Sequence, residues 1–222
     1  MKQTPAHDLI NPELMQMIPP STRRIVDVGC MQGSLAKVYR AEHPTTEVIG
    51  VDIDPDYAAV ASQHCTRAMA ANIETMPDEA FAELFPSDCW VFGDCLEHLH
   101  DPWKVMKRVR EHIDPAGCML ICIPNAQHWS VQWRLLSGNF RYEDQGLMDR
   151  THIRWFTRQT LLEMFADTGW QIAQGMTRNI ASPAEAQSLQ AVRAFATASG
   201  LDPDQAERDA KPFQYMFSLR PH

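Results

Sequence analysis

Apolar residues along this chain come in short runs that stop at glycine, proline or an acid. Ile25-Val26-Asp27-Val28, Val48-Ile49-Gly50-Val51, Cys89-Trp90-Val91-Phe92 and Met119-Leu120-Ile121-Cys122-Ile123 are the clearest. Runs of this length with little alternation read as strands buried on both faces. A weaker run at about 67–71 predicts a further strand. Between the runs the spacing lengthens to a helical period. Leu35, Val38 and Tyr39 share one helix face; Tyr57, Val60 and Ala61 share another behind Asp54-Pro55. Trp103, Met106, Val109 and Ile113 share a third, stopped by Pro115 and Gly117. Asn11-Pro12 opens an N-terminal helix that Pro19-Pro20 ends. Strand and helix alternate without a break to residue 125, which predicts a doubly wound, mostly parallel α/β sheet with right-handed crossovers.

The pattern changes after 125. Residues 126–156 carry Trp129, Trp133, Phe140, Tyr142, Trp155 and Phe156. They predict an aromatic cap, with five arginines (Arg134, Arg141, Arg150, Arg154 and Arg158) tilting it towards a polar or anionic acceptor, and with Asp149-Arg150 as a salt bridge that would fix it. Thr157 caps a helix with Leu161, Leu162 and Phe165 on one face and Gly169 as its stop. Trp170–Met176 and Phe213–Leu219 complete seven strands. Before the last strand, Ser182-Pro183-Ala184-Glu185 reads as a capping box and Asp202-Pro203-Asp204-Gln205 repeats that grammar. The expected organisation is one domain over 1–222. It comprises an N-terminal helix (1–20), a ligand-binding core (21–125), a substrate cap (126–156) and a helical insertion (179–211).

Bulk properties narrow the partners. The chain has 222 residues, 45% of them hydrophobic, enough for one sizeable core. A formal charge of −8 argues against a nucleic-acid partner. Six cysteines form no Cys-x-x-Cys pair, and no apolar run approaches membrane-spanning length. The expectation is a cytoplasmic, reduced protein acting on a small molecule without membrane insertion. Oligomeric state stays open, a homodimer included.

In an open α/β sheet, ligands bind at the carboxyl ends of the strands. The residues there are Gly29 to Gly33, Asp52, Asn72 to Glu74, Asp94 to His98 and Asn125 to His128. Gly29 and Gly33 permit a tight strand-to-helix turn. Asp52 ends the second strand, where a carboxylate accepts two hydroxyl hydrogen bonds from a ribose. A nicotinamide-dependent oxidoreductase needs Gly-x-Gly-x-x-Gly, but positions 29, 31 and 34 read Gly, Met and Ser. A phosphate-binding loop is excluded, since no Gly-Lys-Ser/Thr follows.

Taken in order, Val26-Asp27-Val28-Gly29-Cys30-Met31-Gln32-Gly33, Val51-Asp52-Ile53-Asp54, Asp94-Cys95-Leu96-Glu97-His98-Leu99 with Asp101-Pro102, and Pro124-Asn125 resemble the class I S-adenosylmethionine-dependent methyltransferases. The segment Gly146 to Thr157, with Asp149-Arg150-Thr151-His152-Ile153-Arg154-Trp155-Phe156-Thr157, resembles a bacterial small-molecule subgroup. The resemblance spans roughly 11–175 and implies a Rossmann-like seven-stranded fold with S-adenosylmethionine as cofactor. It also implies roles. Asp27 and the backbone of Gly29, Cys30, Met31 and Gly33 hold the amino-acid end of the cofactor. Asp52 holds the ribose, and Ile53 packs on adenine. Asn72 and Ile73 flank the adenine; Asp94 and Cys95 contact the cofactor at the fourth strand end. The chain departs from the family pattern at Met31, where glycine is usual, and at Asn72, where aspartate is common. Met31 motivates a second reading, a methyltransferase-like domain that binds cofactor weakly or binds only a partner.

Methyl transfer from a sulfonium needs alignment in a dry pocket more than it needs a metal, and no metal site is expected. His98-x-His100-Asp101 places two histidines and an acid in one loop, which is too little to make one. A hydroxyl acceptor must lose a proton, and histidine suits that near neutral pH. His128 or His98 is the expected general base, with His152 in structure or substrate positioning as the alternative to a base.

Overall fold

A computed structural model describes residue 5 and residues 10–222. The helix α1 (Pro12–Gln16) leads into β1 (Arg24–Val28), α2 (Ser34–Glu42), β2 (Glu47–Asp52), α3 (Pro55–Ala61) and β3 (Arg67–Ala70). Then come α4 (Asp78–Ala82), β4 (Cys89–Gly93), a single 3-10 turn at Leu96–His98, α5 (Pro102–His112) and β5 (Cys118–Pro124). The second half holds α6 (Trp129–Leu136), α7 (Arg158–Asp167), β6 (Trp170–Arg178), α8 (Glu185–Ala198), α9 (Pro203–Ala210) and β7 (Gln214–Pro221).

The strands form one sheet in the order β3-β2-β1-β4-β5-β7-β6. Pairs among β1 to β5 are parallel, and β7 runs antiparallel between β5 and β6. This is the mostly parallel seven-stranded sheet that the alternation predicted. Its inner strands are buried on both faces because each apolar run feeds both sides. On β4, Trp90 and Phe92 enter the core over one face with Val26, Met119 and Ile121. Cys89 and Val91 enter the other with Ile25, Leu120 and Cys122.

The chain goes one way from β1 to β2 and the other way to β4. The reversal opens a crevice over the carboxyl end of β1, where an α/β sheet holds its ligand. Register sets its walls: Val28 lies opposite Val51 on one side and Phe92 on the other.

Helix starts follow local chemistry. Asn11, Asp54, Asp101, Thr157 and Asp202 each accept a backbone N–H of the first turn through a side-chain oxygen. The predicted capping box at Ser182 does not form. Its hydroxyl accepts from Ala184 N–H at 3.3 Å in a local turn, and α8 starts three residues later at Glu185 with no side-chain cap. The short helix α4 had no periodic signal. It forms because Phe81 and Leu84 are drawn into the core under Trp90.

Candidate active site

The loop after β1 is tied to β2: Gly29 and Cys30 donate to the Val51 carbonyl at 2.8 and 3.3 Å. Gly29 has φ +74°, and a Cβ there would meet Cys95 Sγ at 3.2 Å. Gly33, with φ +80°, begins α2, where a Cβ would lie 3.1 Å from Ala61 Cα. Both glycines are required by conformation and by space. Met31 stands between them at φ +45°, in the left-handed region a side chain pays to occupy. Its N–H donates to Asp52 Oδ2 at 2.8 Å, while Asp54 N–H donates to Oδ1 at 2.9 Å. Asp52 is therefore locked in place with lone pairs left for hydroxyls.

Asp27 lies beneath this turn and is 5% exposed. Burial, and then the Asp52 carboxylate, push its pKa up to about 7. Asp94, at φ +53°, accepts from Gln214 Nε2 and from Cys122 Sγ. Ile53 is 53% exposed, an apolar face open beside the crevice. Asn72 accepts Glu74 N–H at 2.9 Å and shapes the loop after β3. Ile73 is in the core, so whatever it offers an adenine comes from its backbone. Glu74 accepts from His100 and Asp101 N–H at 3.1 and 2.7 Å, joining that loop to the one after β4.

The three histidines separate into one and two. His128 begins α6, and its Nδ1 lies 2.8 Å from Ser130 Oγ and 3.3 Å from Ser130 N. Its Nε2 is buried and has no partner. Burial lowers its pKa to about 4. His98 and His152 lie together, their ring centroids 4.9 Å apart. His98 Nδ1 donates to the Thr151 carbonyl at 3.1 Å and His152 Nδ1 to the Leu147 carbonyl at 3.2 Å. Both rings therefore keep a bare Nε2. Burial lowers both pKa values, that of His152 to about 4. Between them lies Glu97, 1% exposed. Burial, and then Asp94, hold its pKa well above the usual carboxylate range.

Glu97 is the residue that the sequence reading passed over. Its signal was an acid inside the apolar pair Leu96 and Leu99, where a solvated residue has no place. The loop pair His100 and Asp101 does not join this group. Asp101 caps α5, accepting Lys104 N–H at 3.0 Å, and the His100 carbonyl holds Arg154.

The cap is partly built on ion pairs. Arg134 pairs with Glu143, Arg150 with Asp144 at 2.6 Å, and Arg154 is spent on the His100 carbonyl. The expected Asp149–Arg150 bridge is replaced by this Asp144 contact, and Asp149 instead accepts from Thr151 N–H and hydroxyl. Phe156 is buried, Trp155 lies tilted against Phe140 and edge-on to His152, and Trp133 and Tyr142 stay exposed.

The site fits a cofactor that carries an ammonium, a ribose and a flat base. The buried Asp27 carboxylate has only unfavourable surroundings, which a cation beside it would offset. Asp52 has free acceptor capacity, Ile53 offers an apolar face, and the glycines let the backbone approach. Among the described residues no helix is long and apolar enough to cross a membrane, and all six cysteines are free and buried.

A family model described as "Methyltransferase domain" matches residues 5–174. The chain belongs to this family, and its cofactor is S-adenosylmethionine. A comparison with curated proteins finds no match. Among solved structures, the chain resembles an S-adenosylmethionine-dependent methyltransferase from Archaeoglobus fulgidus, with 18% identity and a TM-score of 0.63 over 94% of this chain and 91% of that one. A plantazolicin methyltransferase in complex with S-adenosylhomocysteine is 14% identical, with a TM-score of 0.61 over 95% and 80%. The O-methyltransferase of a trans-AT polyketide multienzyme of Brevibacillus brevis, in complex with the same product, is 14% identical, with a TM-score of 0.60 over 95% and 71%. At these identities the likeness concerns the fold.

Proposed function

We propose that this methyltransferase moves the methyl group to a hydroxyl of a small-molecule acceptor, and that the acceptor's proton leaves at the cluster of Glu97, His98 and His152. The observation that carries this reading is the tautomer of His98: its Nδ1–H is spent on Thr151, so a neutral Nε2 faces the site. His98 is only half-buried, unlike His152, and so is the member an acceptor can reach.

Bound S-adenosylmethionine supplies a methyl on an already activated sulfonium. The chain's residues then have two tasks. Asp27, Asp52 and the Gly29–Gly33 backbone orient the cofactor so that one face of the methyl is open. The aromatic cap around Trp155 and Phe156 excludes water and holds the acceptor in line.

The test is His98→Ala assayed with S-adenosylmethionine and a panel of hydroxyl compounds. Loss of a general base lowers the rate by about 10²–10⁴-fold, while S-adenosylhomocysteine still binds. The lowered pKa of His98 puts the acid limb of the wild-type rate below pH 6.5, the ordinary histidine value; the rate is flat above it, and the variant lacks the limb. A variant within a few-fold of wild type, or one retaining the limb, would remove the cluster from the reaction.

A further inference from the structure

Glu97, His98 and His152 pose a physical problem as they stand. Neither carboxylate oxygen of Glu97 has a hydrogen-bond partner, although the residue is 1% exposed. The two imidazoles have spent their only N–H groups on backbone carbonyls. One ligating atom of each of the three lies within 4.8 Å of the others, and His152 Nε2 is 3.9 Å from Glu97 Oε1. The only proton such a group can offer is the carboxyl's own, and at 3.9 Å it does not reach His152 Nε2, so the buried polar atoms stay unsatisfied. A cation at their centre satisfies all three at once.

We infer that Glu97, His98 and His152 bind one divalent transition-metal ion. Two imidazoles and one carboxylate suit Zn²⁺ or Co²⁺ better than Mg²⁺ or Ca²⁺, which prefer all-oxygen sites. Tetrahedral coordination with bonds of about 2.0–2.1 Å separates its ligands by roughly 3.3 Å. The 3.9 Å gap between His152 and Glu97, and separations of up to 4.8 Å within the trio, close to that with side-chain shifts on the order of 1 Å. The backbone already holds the ligands together: Ile153 and Arg154 N–H both donate to the Glu97 carbonyl, at 3.0 and 2.9 Å. The bonds from Nδ1 to the Thr151 and Leu147 carbonyls fix both ring orientations, as outer partners do in metal sites.

Three protein ligands leave a position for an outside oxygen. There the inference rests on the hydroxyl-methylation reading. The acceptor is a hydroxyl compound whose oxygen reaches the ion. Its O–H bond breaks, oxygen keeps the electron pair, and the proton passes to solvent, because a metal ion lowers the pKa of a bound oxygen. In the loaded state His98 holds the ion instead of the proton. Ion binding itself stands on the geometry alone.

The experiment uses the full chain, stripped with a chelator and titrated by calorimetry with ZnCl₂ and, separately, CoCl₂, with S-adenosylhomocysteine titrated in parallel. The expected result is one ion per chain and a cobalt visible spectrum typical of nitrogen and oxygen ligands. Glu97→Gln and His152→Ala should each weaken binding at least about 100-fold, and His100→Ala should leave it unchanged. Stoichiometric binding that survives both ligand variants overturns the site, as does a wild-type chain that takes up no ion and shows no cobalt bands. If a ligand variant does not fold, the wild-type cobalt spectrum decides. S-adenosylhomocysteine binding without ion binding ends the metal inference and leaves the methyltransferase reading intact.

Discussion

Asp27 shows how one residue carries a condition for function. Burial holds its pKa up to about 7, so near neutral pH it is divided between acid and carboxylate. In the proposed binding mode a cofactor ammonium beside Asp27 favours the carboxylate and lowers that pKa, so that binding expels a proton. The affinity for S-adenosylhomocysteine should therefore rise as pH goes from about 5 to about 7 and level off above. Calorimetry near pH 6 in buffers of different ionisation enthalpy should record release of a fraction of a proton. Release that is absent, or that survives in Asp27→Asn, would place the ammonium elsewhere. Met31 carries a different condition. Its left-handed backbone costs a side chain roughly 1–2 kcal/mol, but its N–H orients Asp52. The sequence marked both residues, because an acid inside a strand and a side chain between two turn glycines break the local rules. Glu97 carried a weaker signal, an acid between Leu96 and Leu99, and its meeting with His98 and His152 depends on neighbours in space.

At the scale of elements, most boundaries were legible because they rest on neighbouring residues. Thr157 shows this. Its hydroxyl accepts Thr160 N–H at 3.3 Å, and Thr160 Oγ accepts Thr157 N–H at 3.0 Å in return. Thr157→Ala should cost about 1 kcal/mol, which for a chain of this size lowers Tm by about 2–4 °C. A thermal melt checks this; an unchanged Tm would mean that packing of Leu161 and Phe165 alone sets the helix start. The failures have the same cause in reverse. Ser182 had the letters of a capping box, but its hydroxyl closed a local turn. The helix α4 has no pattern of its own and exists because the core takes up Phe81.

At the scale of the molecule, single side chains hold distant segments together. Asn125 ends β5 and is wholly buried. Its Nδ2 donates to the Asp209 and Pro212 carbonyls, both at 2.8 Å, and its Oδ1 accepts Gln127 N–H at 2.9 Å. It fastens the end of α9 to the crevice edge of the sheet. Asn125→Ala strands these buried groups and should cost about 2–3 kcal/mol, with hydrogen exchange rising first in α9 and the start of β7. Exchange rising uniformly over the sheet instead would mean that the residue supports only the core.

The alternation of strand and helix, the turn after β1, the acid that ends β2 and the family are all legible in the order of residues along the chain. These rest on periodicity and on backbone conformation, which neighbouring residues decide. Packing in three dimensions is what brings His98 and His152 together and joins Glu97 to them. His98 and the Thr151 carbonyl that sets its tautomer are 53 positions apart. No local preference encodes such a meeting. It follows from how the cap segment packs on the loop after β4, and a proton's place on an imidazole is set by the partner that packing supplies.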